Sequence, residues 1–221
     1  MSFLLEFVRA PMTVGAVAPS SPALARAATA AVPRTGSPAV VELGPGTGAF
    51  TGAIQRRLAG RGRHIAVEIN PRFVQQLAAL HPAVDIVNTD AADLAAVLAQ
   101  RGLSQTDVVV SGLPWAAFTE NHQRDVLSAV VAALPPHGVF TTFAYVHTRW
   151  APPARDPFSA VSSARADSSS SARPAVRATC AADRQMPGGG FVCGLAARAA
   201  ARVYQRVRPA TRSAGGPVAH R

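Results

Sequence analysis

The stretch Val40-Val41-Glu42-Leu43-Gly44-Pro45-Gly46-Thr47-Gly48-Ala49-Phe50 has residue types and spacing that can do chemistry. An apolar run breaks into closely spaced glycines and then re-enters a helix-like pattern. Glycines at such a place let the backbone turn tightly and let a ligand approach without a Cβ in the way. Two kinds of cofactor exploit this turn. A dinucleotide rests its pyrophosphate on the helix N-terminus. S-adenosylmethionine sets its amino-acid end and ribose against the turn. Gly44-x-Gly46-x-x-Ala49 satisfies the permissive dinucleotide fingerprint, with the acid Glu68 about 20 residues further on. Two features favour the sulfonium ligand. Glu42, two residues before the first glycine, places a carboxylate where a cation is attracted and a pyrophosphate repelled. Gly48 adds a third glycine at the tighter Gly-x-Gly-x-Gly spacing.

Three further clusters follow in order: Glu68-Ile69, Asp90-Ala91, and Ser111-Gly112-Leu113-Pro114-Trp115. Each ends a short apolar segment. The spans 39–43, 64–68, 84–88, 107–111 and 139–145 are short, rich in β-branched or apolar residues, and bounded by Gly, Pro or polar residues, which predicts five strands. Helix-like stretches lie between them at 50–58, 71–80, 92–100 and 122–134; Pro71 stands at a plausible first helical position. Strand alternating with helix predicts an α/β fold: a Rossmann-like, mostly parallel sheet with helices on both faces. The four clusters then fall at the C-terminal ends of strands, the edge where open α/β sheets bind ligands.

On these residues the chain resembles the class I S-adenosylmethionine-dependent methyltransferases. The resemblance implies cofactor contacts from Glu42, Gly44, Gly46 and Gly48, from Glu68 on the ribose hydroxyls with Ile69 beside it, from Asp90 and Ala91 near the adenine, and from Ser111. The motif after the fourth predicted strand narrows the choice. Enzymes that methylate the exocyclic amine of adenine, including ribosomal RNA dimethylases, resemble Asn-Leu-Pro-Tyr there. This chain has Gly112 at the Asn position, with no amide to orient a base amine, and Trp115 at the aromatic one. Ser-Gly-Leu-Pro followed by a bulky apolar residue is similar to bacterial phospholipid N-methyltransferases, which convert phosphatidylethanolamine stepwise to phosphatidylcholine. Phe3–Val8, Val14–Ser21 and Phe143-Ala144-Tyr145 resemble that family as well. The resemblance covers about residues 3–150.

It implies that Gly112 and Leu113 aim the amine by their carbonyls, with Pro114 fixing the local backbone, and that Trp115 and Tyr145 face the growing methylammonium charge. No general base is assigned. A methyltransferase acting on phosphatidylethanolamine is the leading expectation. An RNA adenine methyltransferase, a small-molecule amine methyltransferase and a non-catalytic cofactor-binding remnant are the alternatives.

Composition sets the remaining bounds. The chain has 221 residues, 48% of them apolar, enough for one α/β domain with a sizeable core. No apolar run reaches the roughly 18 residues that span a bilayer. The N-terminus, with an early Glu6 and no basic start, makes a poor signal peptide. Two cysteines exclude a disulfide framework, and the six histidines show no paired spacing, so they are read as surface or loop residues and no metal is expected. These features lead to the expectation of a cytoplasmic protein, and the resemblance to phospholipid N-methyltransferases adds the expectation of peripheral work at the inner face of the membrane.

Three regions are expected. Residues 1–37 form a helical segment in which Phe3, Leu4, Phe7 and Val8 share one face. With Arg-rich segments drawn to anionic lipid at roughly 1 kcal/mol per charge, that face predicts docking on a phospholipid membrane surface in preference to nucleic acid. Residues 38–150 form the core. Residues 151–221 carry 11 Arg against 3 acids and few large apolar residues, and are expected to be largely disordered. Leu195, Ala199, Val203 and Val207 recur every four residues beside Arg198, Arg202 and Arg206, the pattern of a short basic amphipathic helix. Phospholipid N-methyltransferases continue past this point with a helix and a two-strand hairpin. Here the C-terminal strands are expected to be missing or irregular.

Overall fold

A computed structural model describes residues 22–145, 179–183 and 190–196. In chain order the elements are α1 (Pro22–Ala28), β1 (Ala39–Leu43), α2 (Ala49–Leu58), β2 (Arg63–Glu68), α3 (Pro71–Leu80), β3 (Asp85–Asn88), α4 (Leu94–Ala99), β4 (Val108–Ser111), α5 (Glu120–Ala133), β5 (Val139–Tyr145), β6 (Thr179–Asp183) and β7 (Gly190–Ala196). Short 3₁₀ turns at Ala91–Asp93 and Trp115–Ala117 precede α4 and α5.

The strands form one sheet in the order β3-β2-β1-β4-β5-β7-β6. The first five pair in parallel, as the strand–helix alternation predicts. β1 lies between β2 and β4, so the strand order reverses there and the crevice of the sheet opens at the C-terminal ends of β1 and β4.

The five parallel strands carry the period-2 signature of a sheet covered on both faces. Val41, Leu43, Ile65, Val67 and Val109 pack with Leu94, Val97, Leu98, Val126, Leu127 and Val130 under α4 and α5. Val40, Val108 and Val110 pack on the other face with Leu24, Ala25, Ala28, Phe50, Ala53 and Ile54 from α1 and α2. Glu42 alternates with Val41 and Leu43, so it falls on the α2 face.

Local sequence fixes the helix starts. Pro71 opens α3 and the Asn70 side chain accepts from the Arg72 N–H at 3.0 Å. Thr119 caps α5 by accepting from the His122 N–H. Gly48 enters α2 at φ 88°, a left-handed conformation that favours glycine.

The far edge corrects the sequence reading. β6 and β7, expected to be missing or irregular, form an antiparallel hairpin, and β7 also pairs antiparallel with all of β5, from Val139↔Ala196 to Tyr145↔Gly190. Leu195, placed by its periodicity in a basic helix, belongs to β7. Pairing with the open edge of β5 outweighs the weak strand character of these small residues. The rest of that predicted helix, the remainder of 151–221, and Phe3, Leu4, Phe7 and Val8 lie outside the described residues. Among the described residues no helix is long and apolar enough to cross a membrane.

Candidate active site

The crevice is built from four loops. The first turns at Gly44 (φ 66°), Gly46 (φ 55°) and Gly48 (φ 88°) between β1 and α2. Each glycine has a separate reason to lack a side chain. A β-carbon on Gly44 would lie 2.7 Å from Leu113 Cδ2, and one on Gly48 2.9 Å from Leu77 Cδ2. A β-carbon on Gly46 would meet nothing within 4 Å, so this side of the turn is open, and its left-handed φ of 55° is what favours glycine there.

Glu68 ends β2 and is 6% exposed. Its Oε2 accepts from the Gly46 N–H at 3.0 Å and its Oε1 from the Asn70 N–H at 2.8 Å, so this acid braces the glycine turn directly. Burial raises its pKa above the ordinary carboxylate value; hydrogen bonds from the Asn70, Gly46 and Ile69 amides oppose the shift, and the Glu42 charge adds to it. Ile69 follows at 41% exposure, an apolar side chain held out beside the acid. Asn88 donates to the Glu68 and Ile69 carbonyls and ties the end of β3 to this loop.

Asp90 follows β3. Its Oδ1 accepts from the Ala92 N–H at 2.9 Å, and His122 Nε2, on the first turn of α5, lies 3.7 Å from the same oxygen. The His122 ring also packs edge-on to Phe118, with centroids 4.6 Å apart. Ala91 is buried in the α4–α5 core.

The fourth loop leaves β4 at Ser111, which is fully buried and whose Oγ accepts from the Leu113 N–H at 3.3 Å. The Gly112 N–H donates to the Leu43 carbonyl at 2.7 Å. A β-carbon on Gly112 would sit 2.5 Å from the Gly44 carbonyl oxygen, so position 112 has no room for an asparagine. Leu113 packs over Gly44, and its carbonyl accepts from the Trp115 N–H at 3.0 Å.

Trp115 is 4% exposed and stands in the core, edge-on to Phe118 and Phe140, with its indole N–H donating to Thr142 Oγ1 at 3.0 Å. Among the described residues these contacts pack the ring edge-on into the core. Tyr145 is the last residue of β5, at the same edge of the sheet as the four loops.

Glu42 is the residue whose surroundings go furthest beyond the sequence reading. It is 0% exposed. Its Oε2 accepts from Thr51 Oγ1 at 2.9 Å and from His64 Nε2 at 3.1 Å. Gln55 Nε2 lies 2.9 Å from His64 Nδ1. Glu42 Oε1 is buried without a hydrogen-bond partner among the described residues. The expectation that the histidines are surface or loop residues is therefore corrected for His64, which is 5% exposed inside β2. Thr51, Gln55 and His64 were not singled out in the sequence. The available signal was Glu42 itself: a carboxylate inside the apolar run Val-Val-Glu-Leu needs buried donors.

These features fit S-adenosylmethionine. The orphaned Oε1 of Glu42 suits a cationic group, the open side of Gly46 suits a close ligand, and Glu68 offers a carboxylate for hydroxyls. A dinucleotide would bring a pyrophosphate toward the buried acid Glu42.

Comparison with known proteins agrees. Residues 40–138 match a family model described as a methyltransferase domain. The chain is 38% identical over 154 residues to an ornithine lipid N-methyltransferase of Singulisphaera acidiphila, covering 67% of this chain and 80% of that protein. Among solved structures it is similar in fold to TrmN from Thermus thermophilus, with TM-score 0.55 at 17% identity, covering 86% of this chain and 52% of TrmN, about half its length. It is also similar to the N-methyltransferase NodS from Bradyrhizobium japonicum, with TM-score 0.54 at 15% identity over 77% of this chain and 89% of NodS. Aeropyrum pernix fibrillarin, solved with natively bound S-adenosyl-L-methionine, matches with TM-score 0.53 at 12% identity over 74% of this chain and 68% of that one. The glycine turn, the acids that flank it, the strand order and these relatives lead to one conclusion: the chain belongs to the class I S-adenosylmethionine-dependent methyltransferases.

Proposed function

We propose that this methyltransferase acts on the primary amine of a membrane aminolipid, with the phosphatidylethanolamine headgroup as the acceptor that the sequence motifs favour. The observation that carries the reading is the 38% identity to an ornithine lipid N-methyltransferase along 80% of that protein. Both lipids present an amine at a bilayer surface. The packing of Gly112 against the Gly44 carbonyl argues against the RNA adenine alternative, because a side-chain amide to orient a base amine has no room there.

The bound cofactor supplies an electrophilic methyl group on a sulfonium. Everything else is positioning, and proximity with orientation supplies a large part of such a barrier reduction. Glu42 and the glycine turn would hold the amino-acid end, Glu68 the ribose, and Ile69 with the Asp90-Ala91 loop the adenine. The Ser111–Pro114 loop would receive the acceptor amine. Its backbone, fixed by Pro114 and by the Leu113 carbonyl to Trp115 N–H bond, sets the line of approach of the amine lone pair. The amine reaches the site deprotonated by water or a weak acceptor. Phe3, Leu4, Phe7 and Val8, with Arg-rich segments, bring the site to the inner face of the membrane.

The test is to incubate the full chain with methyl-labelled cofactor and four acceptors: phosphatidylethanolamine vesicles, ornithine lipid vesicles, RNA, and soluble ethanolamine. Label is expected in extracted lipid as mono-, di- and trimethyl products. Label confined to RNA or to the soluble amine, or in none of the four, overturns the reading.

A further inference from the structure

Glu42 poses a physical problem. A fully buried carboxylate with one unpartnered oxygen is costly, because that oxygen gave up its water and received nothing in return. Its other oxygen is held by two donors from different elements, Thr51 on the first turn of α2 and His64 at the start of β2. Gln55, one turn further along α2, reaches the far side of the same imidazole. Gln55 and Glu42 thus hold the imidazole from both sides and fix its orientation.

We propose that Thr51, His64 and Gln55 are positioning residues that hold Oε2 of Glu42 and so leave its second oxygen, Oε1, for the ammonium group at the amino-acid end of S-adenosylmethionine. The inference rests on the cofactor assignment and on Glu42 as the residue facing that end. It adds a three-residue support that sets how strongly the amino-acid portion is gripped. The penalty of the orphaned oxygen is relieved when the cation arrives, which makes the site selective for ligands that carry one.

Two ligands separate this role from simple stabilisation of the fold. S-adenosylhomocysteine carries the amino-acid end; 5′-methylthioadenosine is the same thioether nucleoside without it. Calorimetry on the full-length protein should show Thr51→Val and His64→Leu weakening S-adenosylhomocysteine by about tenfold or more while 5′-methylthioadenosine changes by less than about twofold. Thr51→Ser, which keeps the hydroxyl, should restore the lost affinity. Gln55→Glu puts a second carboxylate on the imidazole, in competition with Glu42 for its N–H, and should show the same selective loss. That variant lies at a half-buried helix position and removes no core volume, so it remains informative if the buried variants fail to fold. Equal loss of both ligands, or no loss of either, overturns the proposal. Failure of the unmodified protein to bind S-adenosylhomocysteine would instead overturn the cofactor assignment beneath it.

Discussion

Gly112 and Gly44 meet backbone to backbone: a β-carbon on the first would stand 2.5 Å from the carbonyl oxygen of the second. The loops after β4 and β1 therefore touch at the point where the strand order reverses. Gly112→Ala forces them apart and is expected to cost about 1–3 kcal/mol of stability, as overpacking does. Thermal melts measure this. Gly112→Asn should lower stability at least as much and confer no activity on RNA adenine. An unshifted melting temperature would mean that the two loops are not in contact.

Glu68→Ala should weaken S-adenosylhomocysteine binding by about 1–3 kcal/mol, the range for losing a charged hydrogen-bond partner. Calorimetry with unchanged affinity removes Glu68 from the site.

The pH dependence of stability gives a second, independent check on Glu68. Burial raises its pKa in the folded protein, so the folded state binds the proton more tightly than the unfolded chain does. Its stabilising contribution is complete below the ordinary carboxylate pKa and is lost as pH rises through the raised value. Relative to Glu68→Gln, which does not titrate, the parent protein should therefore lose stability as pH climbs from the acid range toward neutrality. Denaturant melts of both proteins across that window give the sign. A parent stability, taken relative to Glu68→Gln, that stays flat or rises with pH contradicts the burial of this acid.

Trp115→Phe keeps a ring in the core but removes the donor to Thr142. The loss of one buried hydrogen bond should cost about 1–3 kcal/mol. Because the ring stands among Phe118 and Phe140, the lipid KM should change little. A large rise in KM with an unaltered melting temperature would reassign Trp115 to the acceptor.

The hairpin register can be tested chemically. Cys180 stands directly opposite Cys193, and these are the chain's two cysteines. Residues directly opposite in an antiparallel pair have Cα atoms about 4.5 or 5.5 Å apart, inside the window a disulfide accepts. Treatment with hydrogen peroxide should couple the two thiols into one intramolecular disulfide, the peroxide being reduced to water. Mass spectrometry should then show the loss of two hydrogens and no alkylatable thiol. Two thiols that remain alkylatable, or only cross-linked dimers, would contradict this register.

The parts of the fold that were legible in the sequence depend on near neighbours. The glycines at 44, 46 and 48 announce a turn because only glycine tolerates it, and the five parallel strands announce themselves by apolar runs with polar ends. Pro71 marks the start of α3 for the same local reason. What stayed hidden depends on distant partners. His64 reads as the polar end of a strand, and only the packing of α2 over β2 buries it against Glu42 and Gln55. Trp115 beside a proline suits either a stack or a core, and its contacts with Phe140 and Thr142, from another strand, could not be read from its neighbours. Thr179–Asp183 and Gly190–Ala196 are rich in small residues and lack a strong alternation. They become strands because β5 offers them an edge, whereas the four-residue spacing from Leu195 onward suggested a helix.

The antiparallel seam between β5 and β7 also constrains how the polypeptide is made. Tyr145 emerges from the ribosome well before its partner Gly190, so throughout synthesis of residues 146–189 the nascent chain carries a bare row of amides and carbonyls along β5. Such a row templates pairing with other chains. Translation that pauses or terminates within that interval would leave β5 as an unpaired, adhesive flank, on the side of the sheet away from β3.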